Sequence, residues 1–338
     1  MSPAALVVDT HVHLSFLPAA VERVYRSVPP GQPAHISLAG THAAGVDAVV
    51  AKAVGDPLVT RWHLRRPWEA VGNQLAAIRR EAEEAGARLA LSAGEVRAAG
   101  EDGRLAVILG LEGADALGSD LGKVGDLAAA GVRVIVPVHL GDNRIGTTCL
   151  PWQRYLGPIP VRRQRPGLTE LGIGFVAAMN DAGMVVDGSH ADQATLFGMI
   201  EHSRAPVMCS HAGARAVSSF ERYLSDEAIR AVAASGGVVG LWPYFMRGKG
   251  TRTLDDVVAH ARHMADLVGP EHVCLGTDMN GVPGVAEGYR DERDVPVLAA
   301  RLAAGGFTDS EVAGIMGENF LRVFAAVEAS SHRRSRDS

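Results

Sequence analysis

Short apolar, β-branched runs alternate along this chain with longer stretches whose apolar positions recur at helical spacing. Eight runs read as strands: Ala5–Asp9, Asp47–Val54, Leu105–Leu111, Val132–Val138, Met184–Asp187, Pro206–Ser210, Val238–Trp242 and His272–Gly276. Most are apolar throughout, the pattern of strands covered on both faces. Pro67–Ala85, Ser119–Ala130, Leu168–Ala182, Asp255–Val268 and Asp309–Ser330 read as helices. The first three run into Gly86, Gly131 and Gly183, the residue type that closes a helix in the left-handed conformation. Strands each followed by helical sequence predict an α/β fold, a (β/α)8 TIM barrel. A doubly wound open sheet is the alternative. The expected domain is a single barrel over residues 1–330, with residues 331–338 as a disordered tail. The Pro- and Arg-rich stretch Leu150–Gly167 is expected to be a long loop after the fourth strand.

Composition narrows the function classes. With 47% apolar and 21% charged residues among 338, the chain is too apolar for a disordered protein. A net charge of −5 argues against a nucleic-acid partner. No apolar run approaches the roughly 18 residues that a membrane span needs, and the start MSPAALVVDTHVHL lacks the basic region of a secretion signal. Cys149, Cys209 and Cys274 form no Cys-x-x-Cys pair. A reduced, cytoplasmic setting is therefore expected.

The polar residues fall where barrel chemistry is done, at the C-terminal ends of strands. The first strand leads into Asp9-Thr10-His11-Val12-His13, the third into Glu112, the fourth into His139. The fifth leads into Asp187-Gly188-Ser189-His190, the sixth into His211, the eighth into Asp278. His-x-His places two imidazoles on one side of an extended chain, where they can share a metal ion. That pair alone is weak. His190, His211 and Glu112 each end an apolar strand, where a polar group without a partner is costly. Together the five are read as ligands of a metal centre. His260 and His263 sit on a helix, His272 at the wrong end of a strand, and His35, His42, His63, His202 and His332 in polar stretches. These are read as structural or solvated.

The segments GLEGADAL, GVRVIVPVHLGDN, LTELGIGFVAAMNDAGMVVDGSHA, RAPVMCSHAGARAV and HVCLGTDMNGVPG occur in that order. On them the chain resembles the membrane (renal) dipeptidases, peptidase family M19 of the amidohydrolase superfamily, over nearly its whole length. The resemblance implies a zinc-dependent dipeptidase on a (β/α)8 barrel, with two divalent metal ions as cofactor. It places His11 and His13 on the first metal, Glu112 between both, and His190 and His211 on the second. It implies that His139 contacts substrate and steadies the tetrahedral intermediate. It implies further that Arg222 grips the substrate carboxylate and that Asp278 is the acid/base. The expected partners are a small-molecule dipeptide or related amide and, by family analogy, a second copy in a homodimer. Two positions depart from the family: His13 stands where the family has Asp, and Asn280 where it has a second Asp. An imidazole for a carboxylate raises the formal charge of the site by about one unit.

The mechanism expected from this resemblance is attack of a metal-bridging hydroxide on a scissile amide. The alternatives are another hydrolase on the same centre (a lactonase, a phosphotriesterase or an N-acyl-amino-acid deacylase) and, more remotely, a non-catalytic ligand-binding barrel. Trp152, Tyr155, Trp242, Tyr244 and Phe245 are candidates for lining the pocket.

Overall fold

The computed structural model describes residues 5–14, 20, 23, 36–63, 66–157, 160, 161 and 163–337; His35 lies outside them. Eight parallel strands build the barrel: β1 Val8–His13, β2 Ala48–Val54, β3 Ala106–Glu112, β4 Val132–Val136, β5 Val185–Asp187, β6 Val207–Ala212, β7 Val239–Leu241 and β8 Val273–Leu275. Each pairs with its successor in chain order. That order is a barrel's, since a doubly wound sheet reverses direction at a switch point. The seam between β8 and β1 is closed by a parallel bridge of Val12 to Met279. There His13 N donates to Met279 O at 2.8 Å, and Asp278 N to His11 O at 2.8 Å.

The outer layer is helical: α1 Pro67–Glu84, α2 Gly122–Ala129, α3 Glu170–Asp181, α4 Gln193–His202, α5 Asp226–Ala234, α6 Leu254–Val268, α7 Val295–Ala304 and α8 Asn319–Asp337. Gly86, Gly131 and Gly183 follow α1, α2 and α3 with φ of 65°, 79° and 65°, the left-handed stop that a Cβ disfavours. Strand residues alternate between two faces. On β2 and β3 the residues Val49, Ala51, Val107 and Leu109 belong to the core shared with the helices. Ala48, Val50, Ala106 and Ile108 belong to a second buried cluster that includes Phe320 and Phe324 of α8. The same alternation puts Lys52, Gly110 and Glu112 on the inward face, toward the C-terminal end.

The structure corrects several boundaries. The first strand runs Val8–His13 rather than Ala5–Asp9, because the ladder continues across the seam through Met279. His11 and His13 thus lie within the strand. The expected helix Asp309–Ser330 is divided into Asp309–Ala313, a π turn Gly314–Glu318, and α8. Gly317 sits where a Cβ would stand 2.1 Å from Leu6 O, so the N-terminal segment crowds the helix at the break. Residues 331–337, expected as tail, continue α8. His272 lies in a 3-10 turn before β8. The loop after β4 contains a short helix, Gln153–Leu156. Among the described residues no helix is long and apolar enough to cross a membrane.

Candidate metal centre

Glu112 ends β3 on the inward face, with its side chain 2% exposed. Four imidazoles from three other strand ends converge on it. His11 Nε2 and His190 Nε2 lie 3.4 and 3.3 Å from Glu112 Oε1, and His211 Nε2 lies 3.8 Å from it. His13 Nε2 lies 3.1 Å from Glu112 Oε2. The imidazoles also face one another: His11 Nε2 and His13 Nε2 are 3.3 Å apart, His190 Nε2 and His211 Nε2 3.0 Å. Neutral imidazoles whose Nε2 lone pairs converge at such distances repel unless a proton or a cation stands between them. Glu112 Oε1 is buried without a hydrogen-bond donor among the described residues. Nitrogen and carboxylate donors in this number are the chemistry of divalent zinc-type ions, and the residues fit such a group. Three overlapping sets could each hold an ion: His11, His13 and Asp278; His11, Glu112 and His211; and Glu112, His139 and His190.

Local backbone geometry aims these side chains. The β1–β2 pairing shifts register between Asp9 and Val12, and the β6–β7 pairing between Cys209 and Ala212. The shifts bracket His11 and His211, as bulges beside active sites re-aim side chains. His190, Asp278 and Asn280 take positive φ of 69°, 56° and 64°, a region that L-residues adopt at a cost and that clusters at functional sites. Gly281 leaves room, since a Cβ there would lie 2.3 Å from the His13 ring and 2.5 Å from Asp278 Oδ1.

A second ring of polar groups orients the first. Ser210 Oγ lies between His11 Nδ1, at 2.9 Å, and His211 Nδ1, at 3.0 Å. Asp56 Oδ2 is 2.6 Å from His139 Nδ1, while His139 Nε2 lies 3.4 Å from Glu112 Oε2. Asp9 accepts from Thr277 Oγ1 and from the backbone N–H groups of His11 and Thr277. Asn280 donates to His13 O at 2.9 Å and Ile36 O at 3.0 Å. Metal sites depend on such outer contacts to fix ring tautomer and direction.

The electrostatics divide the histidines. Burial holds the pKa of His11 below its ordinary value, and burial with the Arg222 charge holds His190 and His211 well below theirs. These three are neutral donors. Burial also opposes protonation of His13, but Asp278 and Glu112 override it and lift that pKa to about 9. Burial opposes protonation of His139 as well, and Glu112 and Asp56 turn its shift upward. Burial works against the Glu112 charge, yet the surrounding imidazoles, His139 and His11 first, bring its pKa well below the carboxylate range.

Asp278 and His139 are the more exposed members, their side chains 13% and 11% accessible. Asp278 Oδ1 is 3.3 Å from His13 Nε2. Arg222, in the loop after β6, is 2% exposed. Its Cζ lies 5.0 Å over the Trp242 ring, and its Nη1 is 3.9 Å from Cys149 Sγ. Its Nε and Nη2 have no hydrogen-bond partner among the described residues. Arg222 therefore brings a buried charge and open donors to a pocket also lined by His190 and Cys149. Trp242 packs edge-on against His211 at 5.2 Å and stacks on Tyr244 at 4.4 Å. Tyr155 packs against the same aromatic cluster, whereas Trp152 is exposed.

His11, His13, Glu112, His139, His190, His211 and Asp278 thus lie together at the rim, and Arg222 lines a pocket beside His190. The histidines read as structural stay apart: His260 Nδ1 accepts from Ala214 N, His263 pairs with Asp226, and His272 and His42 bond backbone carbonyls. Sequence reasoning missed Asp56, Lys52, and the bridging role of Ser210. Asp56 caps the helix Pro57–Thr60, so an Asp-Pro start directly after β2 was its available signal. The signal for Lys52 was a charge inside an apolar run.

The family profile described as membrane dipeptidase (peptidase family M19) matches residues 4–338. An uncharacterized dipeptidase of Schizosaccharomyces pombe is 32% identical over 232 residues, 67% of this chain and 54% of that protein. Dipeptidase verJ of Clonostachys rogersoniana is 33% identical over 246 residues, 72% and 61% of the respective lengths. The matched part of this chain thus spans little more than half of each relative. Among solved structures, the probable dipeptidase PvdM of Pseudomonas aeruginosa superposes with a TM-score of 0.82 at 19% identity, covering 97% of this chain and 96% of that one. A metallopeptidase of Rhodobacter sphaeroides, solved with a phosphinate mimic of the dipeptide L-Ala-D-Ala, gives 0.80 at 22% identity over 95% and 99%. At these identities the superpositions speak to the fold.

Proposed function

The chain belongs to the membrane dipeptidase family, peptidase family M19, and on that premise we propose that it is a metal-dependent dipeptidase using two divalent ions, zinc by the donor set. The observation that carries the reading is the convergence of His11, His13, His190 and His211 on the buried Glu112, with Asp278 and His139 left at the open side. Divalent ions held by these five residues would acidify a bound water and polarise the scissile carbonyl.

The protein's own groups supply the rest. Asp278, accessible and beside His13, takes the proton of the attacking water and delivers it to the leaving amine. Asp56 holds His139 Nδ1–H, and a carboxylate so placed favours the imidazolium, which carries a proton on Nε2 as well. That N–H donates to the substrate oxygen on which negative charge develops. The free donors of Arg222 bind the dipeptide's C-terminal carboxylate through two hydrogen bonds. The free thiols of Cys149, Cys209 and Cys274 fit a cytoplasmic setting, and family analogy extends the proposal to a homodimer. His13, in place of the family's Asp, favours as second reading a lactonase, phosphotriesterase or N-acyl-amino-acid deacylase on the same centre.

The test joins metal analysis to a substrate panel. About two divalent ions per chain, and hydrolysis of dipeptides that include L-Ala-D-Ala and is abolished by a chelator, are expected. A folded, metal-free protein that still turns over dipeptides would refute the centre. Turnover of lactones, phosphotriesters or N-acyl amino acids without dipeptides would favour the second reading.

A further inference from the structure

Lys52 lies inside the barrel, 1% exposed. Its register partners are His13 on β1 and Gly110 on β3, which puts it one layer beneath Glu112. Gly110 leaves room for its stem, since a Cβ there would stand 2.5 Å from Lys52 Cδ. The ammonium reaches Asp187 Oδ2 at 3.3 Å, and both side chains are fully buried. The other oxygen of Asp187 accepts from Ser189 N at 3.1 Å and Ser210 N at 3.0 Å. One carboxylate thus ties the end of β5 to β6. From there the contacts lead to the metal centre: Ser189 Oγ accepts from His211 N at 3.2 Å, and Ser210 Oγ sits between the Nδ1 atoms of His11 and His211.

We propose that Lys52 and Asp187 are a positioning pair, which locks the ends of β5 and β6 so that His190, His211 and, through Ser210, His11 present Nε2 to the metal ions. The proposal rests on the reading of this centre as a metal site. The proton count supports it. With His11 and His211 both binding through Nε2, both Nδ1–H groups donate to Ser210 Oγ, and the Ser210 hydroxyl in turn donates to Ser189 Oγ, 3.3 Å away. That arrangement needs Ser189 and Ser210 fixed, and Asp187 holds the backbone of both. A carboxylate so deep needs a countercharge, and removing one partner of a buried pair leaves the other uncompensated.

The test compares Lys52→Met, Asp187→Asn, the double variant and the parent. Zinc affinity is read by competition with a chromophoric chelator, and the stability of the metal-free protein by urea unfolding. Each single variant is expected to lose about 10–100-fold in zinc affinity, the usual effect of disturbing groups that orient ligands. The double variant keeps the Asn oxygen as acceptor and removes both charges, so it should recover most of that loss. A pair that merely filled the barrel would change metal-free stability and leave the zinc affinity of folded protein unmoved, which would overturn the proposal. Should Lys52→Met not fold, Asp187→Asn and the double variant decide: equal zinc affinity in those two also overturns it. A parent that binds no divalent ion refutes the metal centre itself and this proposal with it, whereas a parent that binds zinc beside unaffected variants refutes the pair alone.

Discussion

At the scale of single residues, the centre separates fully buried imidazoles from groups that face its opening. His11, His190 and His211 are buried and kept neutral, whereas Asp278 and His139 face the opening. Asp278→Asn is expected to lower kcat by about 10²–10⁴-fold, the range of general acid–base contributions, with metal content unchanged by elemental analysis. Arg222→Lys should raise KM for dipeptides by about 10–100-fold, because an ammonium lacks the planar fork. The same substitution should leave KM for a C-terminally amidated dipeptide unmoved. His13 sets a pH dependence in the metal-free protein. Its pKa, about 9 when folded, lies above the ordinary 6.5. A raised pKa stabilises the fold fully below about pH 6.5, and that contribution is lost as pH rises through about 9. Melting curves of chelated protein should therefore show Tm falling across this window. On the proposed ligation a metal ion takes the place of that proton on His13 Nε2, and this component should vanish in metal-loaded protein.

At the scale of elements, the register shifts in β1 and β6 and the glycines of the barrel decide where the ligands point. Gly240 on β7 and Gly276 after β8 each lie where a Cβ would stand 1.7 Å from Ser210 O. The close approach keeps Ser210 in place to touch two histidines. Gly240→Ala is expected to cost about 1–3 kcal/mol or more, as overpacking does, since the clash is with backbone and no side chain can swing away. Urea unfolding of the metal-free variant reads that loss.

At the scale of the whole molecule, the barrel gathers side chains from strands spread over the chain, from His11 on β1 to Asp278 after β8. A metal held by the five proposed ligands would tie together the ends of β1, β3, β5 and β6. Ligand binding to the native state alone stabilises it by about 2.7 kcal/mol at a hundredfold excess over Kd. Chelation should therefore lower Tm, and restoring zinc should reverse the change in a concentration-dependent way. A melting temperature indifferent to zinc would argue that the five residues hold no ion in the folded protein.

Much of this was legible in the sequence. The eight strand positions followed from apolar runs, because strands covered on both faces must be apolar throughout. The glycine stops followed from the left-handed backbone that ends a helix. His11 and His13 stood out as a His-x-His pair on one side of an extended chain, and Glu112, His190 and His211 because polar groups ending apolar strands need a partner. What the tertiary structure alone decided are the contacts between residues far apart in sequence. The bond of Asp56 to His139 spans 83 positions, and that of Lys52 to Asp187 spans 135. Neither leaves a periodic trace, since pattern reports only which face of an element is buried. Which opposing side chain meets a buried charge depends on strand register and on the closure of the barrel, and both exist only once the chain has folded.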